Sequence, residues 1–328
     1  MKAAWFDQFG DAADVLQISE IPRPEPQKGE VLIAMASSGV NPSDVKKRAG
    51  SFPGLLDQGF VIPHSDGAGI IEAVGEGVAQ SRIGERVWVY QAQFARRFGT
   101  AAQFVCIEQL RAVPLPSSIS FEVGACLGIP AMTAHRCVYA DGAVEGQTIL
   151  VTGGAGRVGY YAIQWAAQAG AKVIATASSD LDAQSCIDAG AFAVVNHRDE
   201  EWSKEVLSSN AGGKVDRVVD VEFGANLAQV LKLIKTGGTV ATYSSTQEMQ
   251  PQLPFLEMMY LDLTLRMVIV YAMPEPAKLQ AISDLNVYLK DGRLIHRVAH
   301  QVPFDDIARS HELIENGGFR GCVVVGIT

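Results

Sequence analysis

The sequence is poor in cysteine and lacks any patterned cysteine pair. Its five cysteines, Cys106, Cys126, Cys137, Cys186 and Cys322, are scattered and odd in number. That excludes a disulfide framework and a structural zinc knot, and fits a reducing compartment with the thiols as small buried hydrophobes. No apolar stretch reaches the ~20 residues that span a bilayer. The first residues, Met1 to Asp7, carry no apolar secretory core and read as a strand, which predicts a cytoplasmic protein. A surplus of positive charge is also missing. The net charge is −9, and no basic face of the kind that binds nucleic acid is legible. The short run Lys46-Lys47-Arg48 reads as a solvated helix end. Linkers, repeats and low-complexity segments are absent too, so the domains must be read from periodicity.

What is present is apolar residues, 48% of 328, enough for two cores. Residues 1 to about 122 are rich in short strands. Val31–Ala36, Gly69–Gly75 and Arg86–Tyr90 are bounded by glycine or charge. Pro22, Pro24 and Pro26 break the chain early, and the whole predicts a barrel-like β domain. From residue 123 to 270 strands alternate with helices. Predicted strands are Thr148–Thr152, Lys172–Thr176, Ala193–Asn196, Asp216–Asp220 and Gly238–Tyr243, and predicted helices include Tyr160–Ala169 and Leu181–Gly190. Alternation of this kind implies a doubly wound parallel sheet. Residues 271–328 lose the alternation. Helices over Ala277–Lys290 and Phe304–Asn316, with strands over Leu294–Val302 and Cys322–Ile327, predict a return to the first domain.

The strongest chemical signal is Val151-Thr152-Gly153-Gly154-Ala155-Gly156-Arg157-Val158-Gly159. It follows a buried strand and opens a helix, the context a dinucleotide fingerprint requires. Gly153 permits the tight turn, Gly156 the approach of a pyrophosphate, and Gly159 close packing of helix on strand. Arg157 and Val158 open the helix whose N-terminal N–H groups would face the phosphates. NAD-preferring sites place an acid at the tip of the second strand. Here that tip is Ala177-Ser178-Ser179. Hydroxyl side chains leave room for a 2′-phosphate, and His197-Arg198 after the next strand add positive charge. The reading is therefore NADPH. Asp180 and Asp182 nearby read as acids in the first turn of a helix.

These residues resemble the quinone oxidoreductase, or zeta-crystallin-like, branch of the medium-chain dehydrogenase/reductases. Four segments carry the resemblance: Gly39-Val40-Asn41-Pro42-Ser43-Asp44, Pro63-His64-Ser65-Asp66-Gly67-Ala68-Gly69, Gly128-Ile129-Pro130-Ala131-Met132-Thr133-Ala134, and the glycine loop. The resemblance implies an α/β protein with a GroES-like β-rich catalytic domain and a Rossmann domain of doubly wound parallel sheet. It implies NADPH as cofactor and an active-site cleft between the domains. Zinc-dependent relatives hold their metal at three positions that here carry Asn41, Ser65 and Ile129, none a plausible zinc ligand, so no metal is expected.

The resemblance also implies roles. Asn41 lies beside the nicotinamide, Thr133 faces its ring, and Ser244 and Ser245 lie near its ribose. Arg266 resembles a family arginine that steadies an anionic product, or is a surface arginine. Lys46 stands where many relatives have tyrosine and is the candidate to replace it as proton donor, since Phe52, in place of a second tyrosine, cannot donate a proton; Arg320 is placed to serve the cofactor phosphate. The apolar stretch of Leu256, Met258, Met259, Tyr260, Met267 and Tyr271 reads as the lining of a ring pocket, or as core or dimer-interface packing, and a homodimer is expected. The activity implied is metal-free hydride transfer to a quinone or other α,β-unsaturated carbonyl. The alternatives are an enoyl-thioester reductase, and a non-catalytic dinucleotide-binding protein of crystallin type. No nucleic-acid or membrane partner is expected.

Overall fold

The computed structural model describes residues 1–327. Contacts divide the chain into two compact units, Met1–Ile129 with the chain from Ile282 onward, and Pro130–Ala281.

The first unit opens with β1 (Lys2–Trp5), α1 (Ala12–Val15) and β2 (Gln17–Glu20). The long β3 (Glu30–Val40) follows, then α2 (Pro42–Arg48), β4 (Asp66–Val74), β5 (Arg86–Val89), β6 (Phe104–Glu108), β7 (Ala112–Pro114) and α3 (Phe121–Gly124). β3 is the organising strand. It pairs antiparallel with β4 on one side and with β6 along its first half. Its β-branched residues Val31 and Ile33 are fully buried with Val105 and Ile107 of β6. The change of pattern near residue 122 lies within this unit, because α3 packs on β3 and β4.

The second unit begins with α4 (Met132–Tyr139) and continues as alternating elements. They are β8 (Thr148–Val151), α5 (Arg157–Gln168), β9 (Lys172–Ala177), α6 (Asp180–Asp188), β10 (Ala193–Asn196), α7 (Trp202–Ser209), β11 (Val215–Asp220), α8 (Phe223–Leu233), β12 (Ile234–Thr242), α9 (Phe255–Tyr260) and β13 (Thr264–Met267). The six strands lie in the order β10-β9-β8-β11-β12-β13, every pair parallel. From β8 the chain steps outward to β10, and from β11 it steps outward the other way. The point of reversal lies between β8 and β11, where open α/β sheets bind ligands at their carboxyl ends. The core beneath is Leu150, Ile174, Val218 and Val240 from the strands, packed by Leu227 and Leu231 of α8. Each such side chain contributes about 1.5–3 kcal/mol on burial.

The division falls within α10 (Glu275–Lys290). β14 (Val298–Pro303), α11 (Ile307–Asn316) and β15 (Cys322–Gly326) complete the first unit. β15 pairs antiparallel with the second half of β3 and parallel with β14, so the sheet runs β14-β15-β3-β4-β5-β7. The helix anticipated from Phe304 begins as a 3₁₀ turn, Phe304–Asp306, before α11. Among the described residues no helix is long and apolar enough to cross a membrane.

Candidate functional site

Each unit carries a cluster of chemistry, and the two are built by opposite means. In the second unit the cluster is a backbone loop. Gly153 follows β8 at φ +59°, a left-handed turn that glycine adopts at no steric cost. Its N–H donates to Thr176 Oγ1 at 3.0 Å, and the Gly154 N–H to the Thr176 carbonyl at 2.9 Å. Gly156 is the N-cap of α5 and supplies no side-chain cap, so Arg157, Val158 and Gly159 open the helix beside bare backbone. A Cβ on Gly159 would stand 2.5 Å from the Gly153 carbonyl oxygen, so only glycine lets the helix close on the turn. This cradle, with its dipole end and uncapped first turn, fits a pyrophosphate.

Two residues outside the sequence motif, Asp220 and Asn226, hold the loop through Thr152. Thr152 Oγ1 donates to Asp220 Oδ1 at 2.6 Å and accepts from the Val221 N–H at 3.0 Å. Asn226 Nδ2 donates to the same Asp220 oxygen at 2.8 Å. Burial pushes the Asp220 carboxyl up, while these bonds pull it down. Polar residues at the ends of β8 and β11 were the available signal, but their partnership depends on strand order.

At the tip of β9, Ser178 is half-buried and Ser179 is exposed. The Ser179 hydroxyl accepts from the Asp182 N–H at 3.2 Å and so caps α6, whose first turn carries Asp180 and Asp182. His197 is exposed just beyond β10, its N–H bonded to Ala177. Thr133 is buried in the first turn of α4. The Ser244 carbonyl accepts from Phe223 N and Thr242 Oγ1. Ser245 Oγ accepts from the Gly224 N–H at 2.9 Å and donates to the Glu248 carbonyl, so its hydroxyl shapes the turn after β12. Arg266 on β13 grips both oxygens of Asp141, which also pairs with the buried Arg217 at 3.1 Å. Desolvation raises the Asp141 pKa, but hydrogen bonds and charge from Arg266 and Arg217 outweigh it and hold the carboxyl below its ordinary range. Arg266 is thus committed to an ion-paired triad.

In the first unit the cluster is made of side chains. Asn41 caps α2, and its N–H donates to Asp44 Oδ2 at 2.9 Å. Its Nδ2 donates to Asp66 Oδ2 at 2.9 Å, and the same oxygen accepts the Ile129 N–H at 2.8 Å. Burial pushes the Asp66 carboxyl well up, while the Ile129 and Asn41 bonds oppose the shift. Helical periodicity then sorts the lysines. Asp44, Lys47 and Arg48 fall on the buried face of α2, and Lys46 points to solvent. Lys47 Nζ donates to the Gln93 carbonyl at 2.6 Å and to Gln93 Oε1 at 2.7 Å. Burial pulls the Lys47 pKa down, against the charges of Asp44 and Asp66. The structure therefore brings Asn41 to a buried polar cluster and leaves Lys46 outside it; the cluster's lysine is its neighbour. Arg320 lies on an exposed turn before β15 and donates to the Phe319 carbonyl.

Of the three positions that bind zinc in relatives, Asn41 and the Ile129 backbone both serve Asp66, and Ser65 is buried with its carbonyl bonded to Ala92. Among the described residues no group of three or more His, Cys, Asp or Glu side chains is placed to hold a metal ion.

A GroES-like β unit and a doubly wound unit with a glycine loop at its switch point define the medium-chain dehydrogenase/reductase class. The family models agree: an alcohol dehydrogenase GroES-like domain matches residues 27–117, and a zinc-binding dehydrogenase domain matches residues 158–285. Quinone oxidoreductase from Rattus norvegicus is 30% identical, with 99% of this chain and 97% of the relative covered. The crystal structure of Escherichia coli quinone oxidoreductase complexed with NADPH superposes with a TM-score of 0.87 at 25% identity, covering 99% of this chain and 100% of that one. A mycobacterial protein complexed with NADPH gives a TM-score of 0.86 at 26% identity, covering 99% and 100%. The chain belongs to the quinone oxidoreductase family of that class.

Proposed function

We propose that the protein is an NADPH-dependent oxidoreductase that reduces a quinone or another α,β-unsaturated carbonyl without a metal, in the cytoplasm. The observation that carries the reading is the glycine loop between β8 and α5, at the switch point of the sheet, with no acid at the Ser178–Ser179 tip of β9. The names of the quinone oxidoreductase relatives and of the NADPH complexes support it.

Gly153, Gly156, Arg157, Val158 and Gly159 receive the pyrophosphate on backbone N–H groups. Ser178, Ser179 and His197 receive the 2′-phosphate, with Arg320 a further cation for it. Thr133, Ser244 and Ser245 adjoin the nicotinamide half. Bound NADPH supplies the hydride, and the sum is NADPH, a proton and a quinone giving NADP⁺ and a hydroquinone. Asn41 stabilises the oxygen on which negative charge develops. A positioned neutral donor of this kind is set before charge appears and need not reorganise. Asp66 fixes its amide by accepting one Nδ2 hydrogen.

The test is NADPH oxidation followed by absorbance with a benzoquinone, a naphthoquinone, a 2-alkenal and crotonyl-CoA, in EDTA. Turnover of quinones or the alkenal, faster than with NADH, is expected. Turnover of the thioester alone would make the protein an enoyl reductase. Binding of NADPH with no turnover of any acceptor would leave a dinucleotide-binding protein of crystallin type.

We also infer a homodimer. β13 is the outer strand of its sheet, and Phe255, Leu256, Met259, Tyr260, Met267 and Ile269 beside it are exposed. An apolar open edge is an aggregation hazard unless it is covered. Light scattering that shows a monomer at micromolar concentration would overturn this.

A further inference from the structure

His64 is fully buried and held at φ +75°, a backbone conformation rare for a residue with a Cβ. Strain of this kind persists only where surrounding contacts over-determine it. Those contacts are four hydrogen bonds in series. Thr100 Oγ1 donates to the Asp66 carbonyl at 2.6 Å. Ser38 Oγ lies 2.7 Å from Thr100 Oγ1 and 2.8 Å from His64 Nδ1. His64 Nε2 lies 3.0 Å from His311 Nε2. Ser38, His64, Asp66, Thr100 and His311 are all fully buried.

The protons in this chain have one arrangement. A carbonyl only accepts, so the single hydroxyl proton of Thr100 goes to Asp66. Thr100 must then accept from Ser38, which spends the single Ser38 proton. Ser38 must accept from His64, so His64 carries its proton on Nδ1 and presents a bare Nε2. His311 must therefore carry its proton on Nε2. That leaves His311 Nδ1 an unprotonated nitrogen, and it is the buried ring nitrogen with no hydrogen-bond partner. Every polar proton is used once, and only a lone pair is left over. Both rings are kept neutral: burial pulls His64 down to about 3, helped by the Lys47 charge, and pulls His311 well down, helped by His64 and Arg48.

The chain ends on Asp66, the residue that holds Asn41 Nδ2 and the Ile129 N–H. Three elements far apart in sequence, α11, β3 and the loop before β6, thus meet on one residue at the start of β4. We propose that His311 is a positioning residue for the reaction, acting through His64, Ser38 and Thr100 to fix Asp66 and with it the amide of Asn41. The proposal rests on the role given to Asn41 above.

Two measurements on the full-length protein test it. Nitrogen-15 NMR of the labelled histidines should show the Nδ1–H tautomer at His64 and the Nε2–H tautomer at His311. The reverse tautomer at either ring overturns the chain. Kinetics then test its use. His311→Leu removes the first donor and should lower kcat about tenfold, since small misplacements of a catalytic group cost rate steeply. KM for NADPH should stay unchanged, and His311→Gln, which keeps a donor near the Nε2 position, should restore kcat. Thr100→Val cuts the last link with little change of shape and should match His311→Leu, with Thr100→Ser as its rescue. Wild-type kcat in both Leu and Val variants, or loss that the Gln and Ser variants do not reverse, would overturn the positioning role. A wild-type protein inert towards all acceptors would count against the functional reading, and the tautomers would still decide the chain.

Discussion

The glycine loop of the second unit and the polar cluster of the first use different materials. The loop is backbone: Gly153, Gly156 and Gly159 present main-chain groups, and the side chains that matter there are mostly absent ones. The cluster is side chains: Asn41 and Lys47 of α2, Asp66 and Gln93 meet from three separate stretches of chain. A backbone site takes its shape mostly from local sequence, with Thr176, Asp220 and Asn226 steadying it from neighbouring elements. A side-chain site needs the whole fold, because each member is worthless without partners brought from elsewhere. The difference teaches that damage should also differ in kind. Substitution in the loop should abolish ligand binding in a folded protein, whereas substitution in the cluster should cost stability as well.

The largest effect should come from the loop. Gly159→Val drives a side chain into the Gly153 carbonyl. Overpacking of a few kcal/mol at that point should weaken NADPH binding about a hundredfold in a fluorescence titration. Binding within a factor of two of wild type would break the comparison.

The next prediction asks whether the rule follows the unit or the mode of construction. Asp141 is in the second unit but belongs to a side-chain network with Arg217 and Arg266. Asp141→Ala leaves Arg217, 3% exposed, without its counter-ion, and should lower unfolding stability by about 3 kcal/mol in a denaturant titration. NADPH affinity should change little. The Asp141 carboxyl lies below its unfolded-state value of 3.8, so its contribution is complete above that pH and is lost as pH falls through the lower folded value.

Lys47→Met strands the Gln93 carbonyl and side-chain oxygen in a buried place and should cost about 2 kcal/mol. A smaller effect belongs to the buried histidines. Their folded values lie below the ordinary 6.5, with His64 at about 3 and His296 at about 4. The unfolded chain therefore takes up protons that the folded one refuses, and stability present above 6.5 is lost as pH falls below it. His311→Gln removes one such group, so the acid slope should become shallower by about 1 kcal/mol per pH unit. An equal slope in variant and wild type would refute the burial argument. Smallest of all, Lys46→Met should change stability by no more than about 0.5 kcal/mol, because the side chain is in solvent.

How much was legible follows the same division. The parallel sheet, its order of strands and helices, and the loop opening α5 could be read from local pattern, with ends displaced by a few residues. α7 and α8 escaped that reading, since Trp202–Ser209 and Phe223–Leu233 follow no glycine or capping signal of comparable strength. Asn41 was legible as a site residue through resemblance. The sequence pointed to Lys46 rather than Lys47, because the buried face of a two-turn helix is set by what it packs on.

The sequence by itself determined the two-unit α/β architecture and the glycine loop, because backbone sterics and apolar periodicity act between residues near in the chain. The tertiary structure alone decided that Asp66 holds Asn41, that Arg266 serves Asp141, and that His311 reaches His64. Those pairings are set by strand register and helix packing, which join residues 25, 125 and 247 positions apart. No local pattern encodes a partner at such a distance.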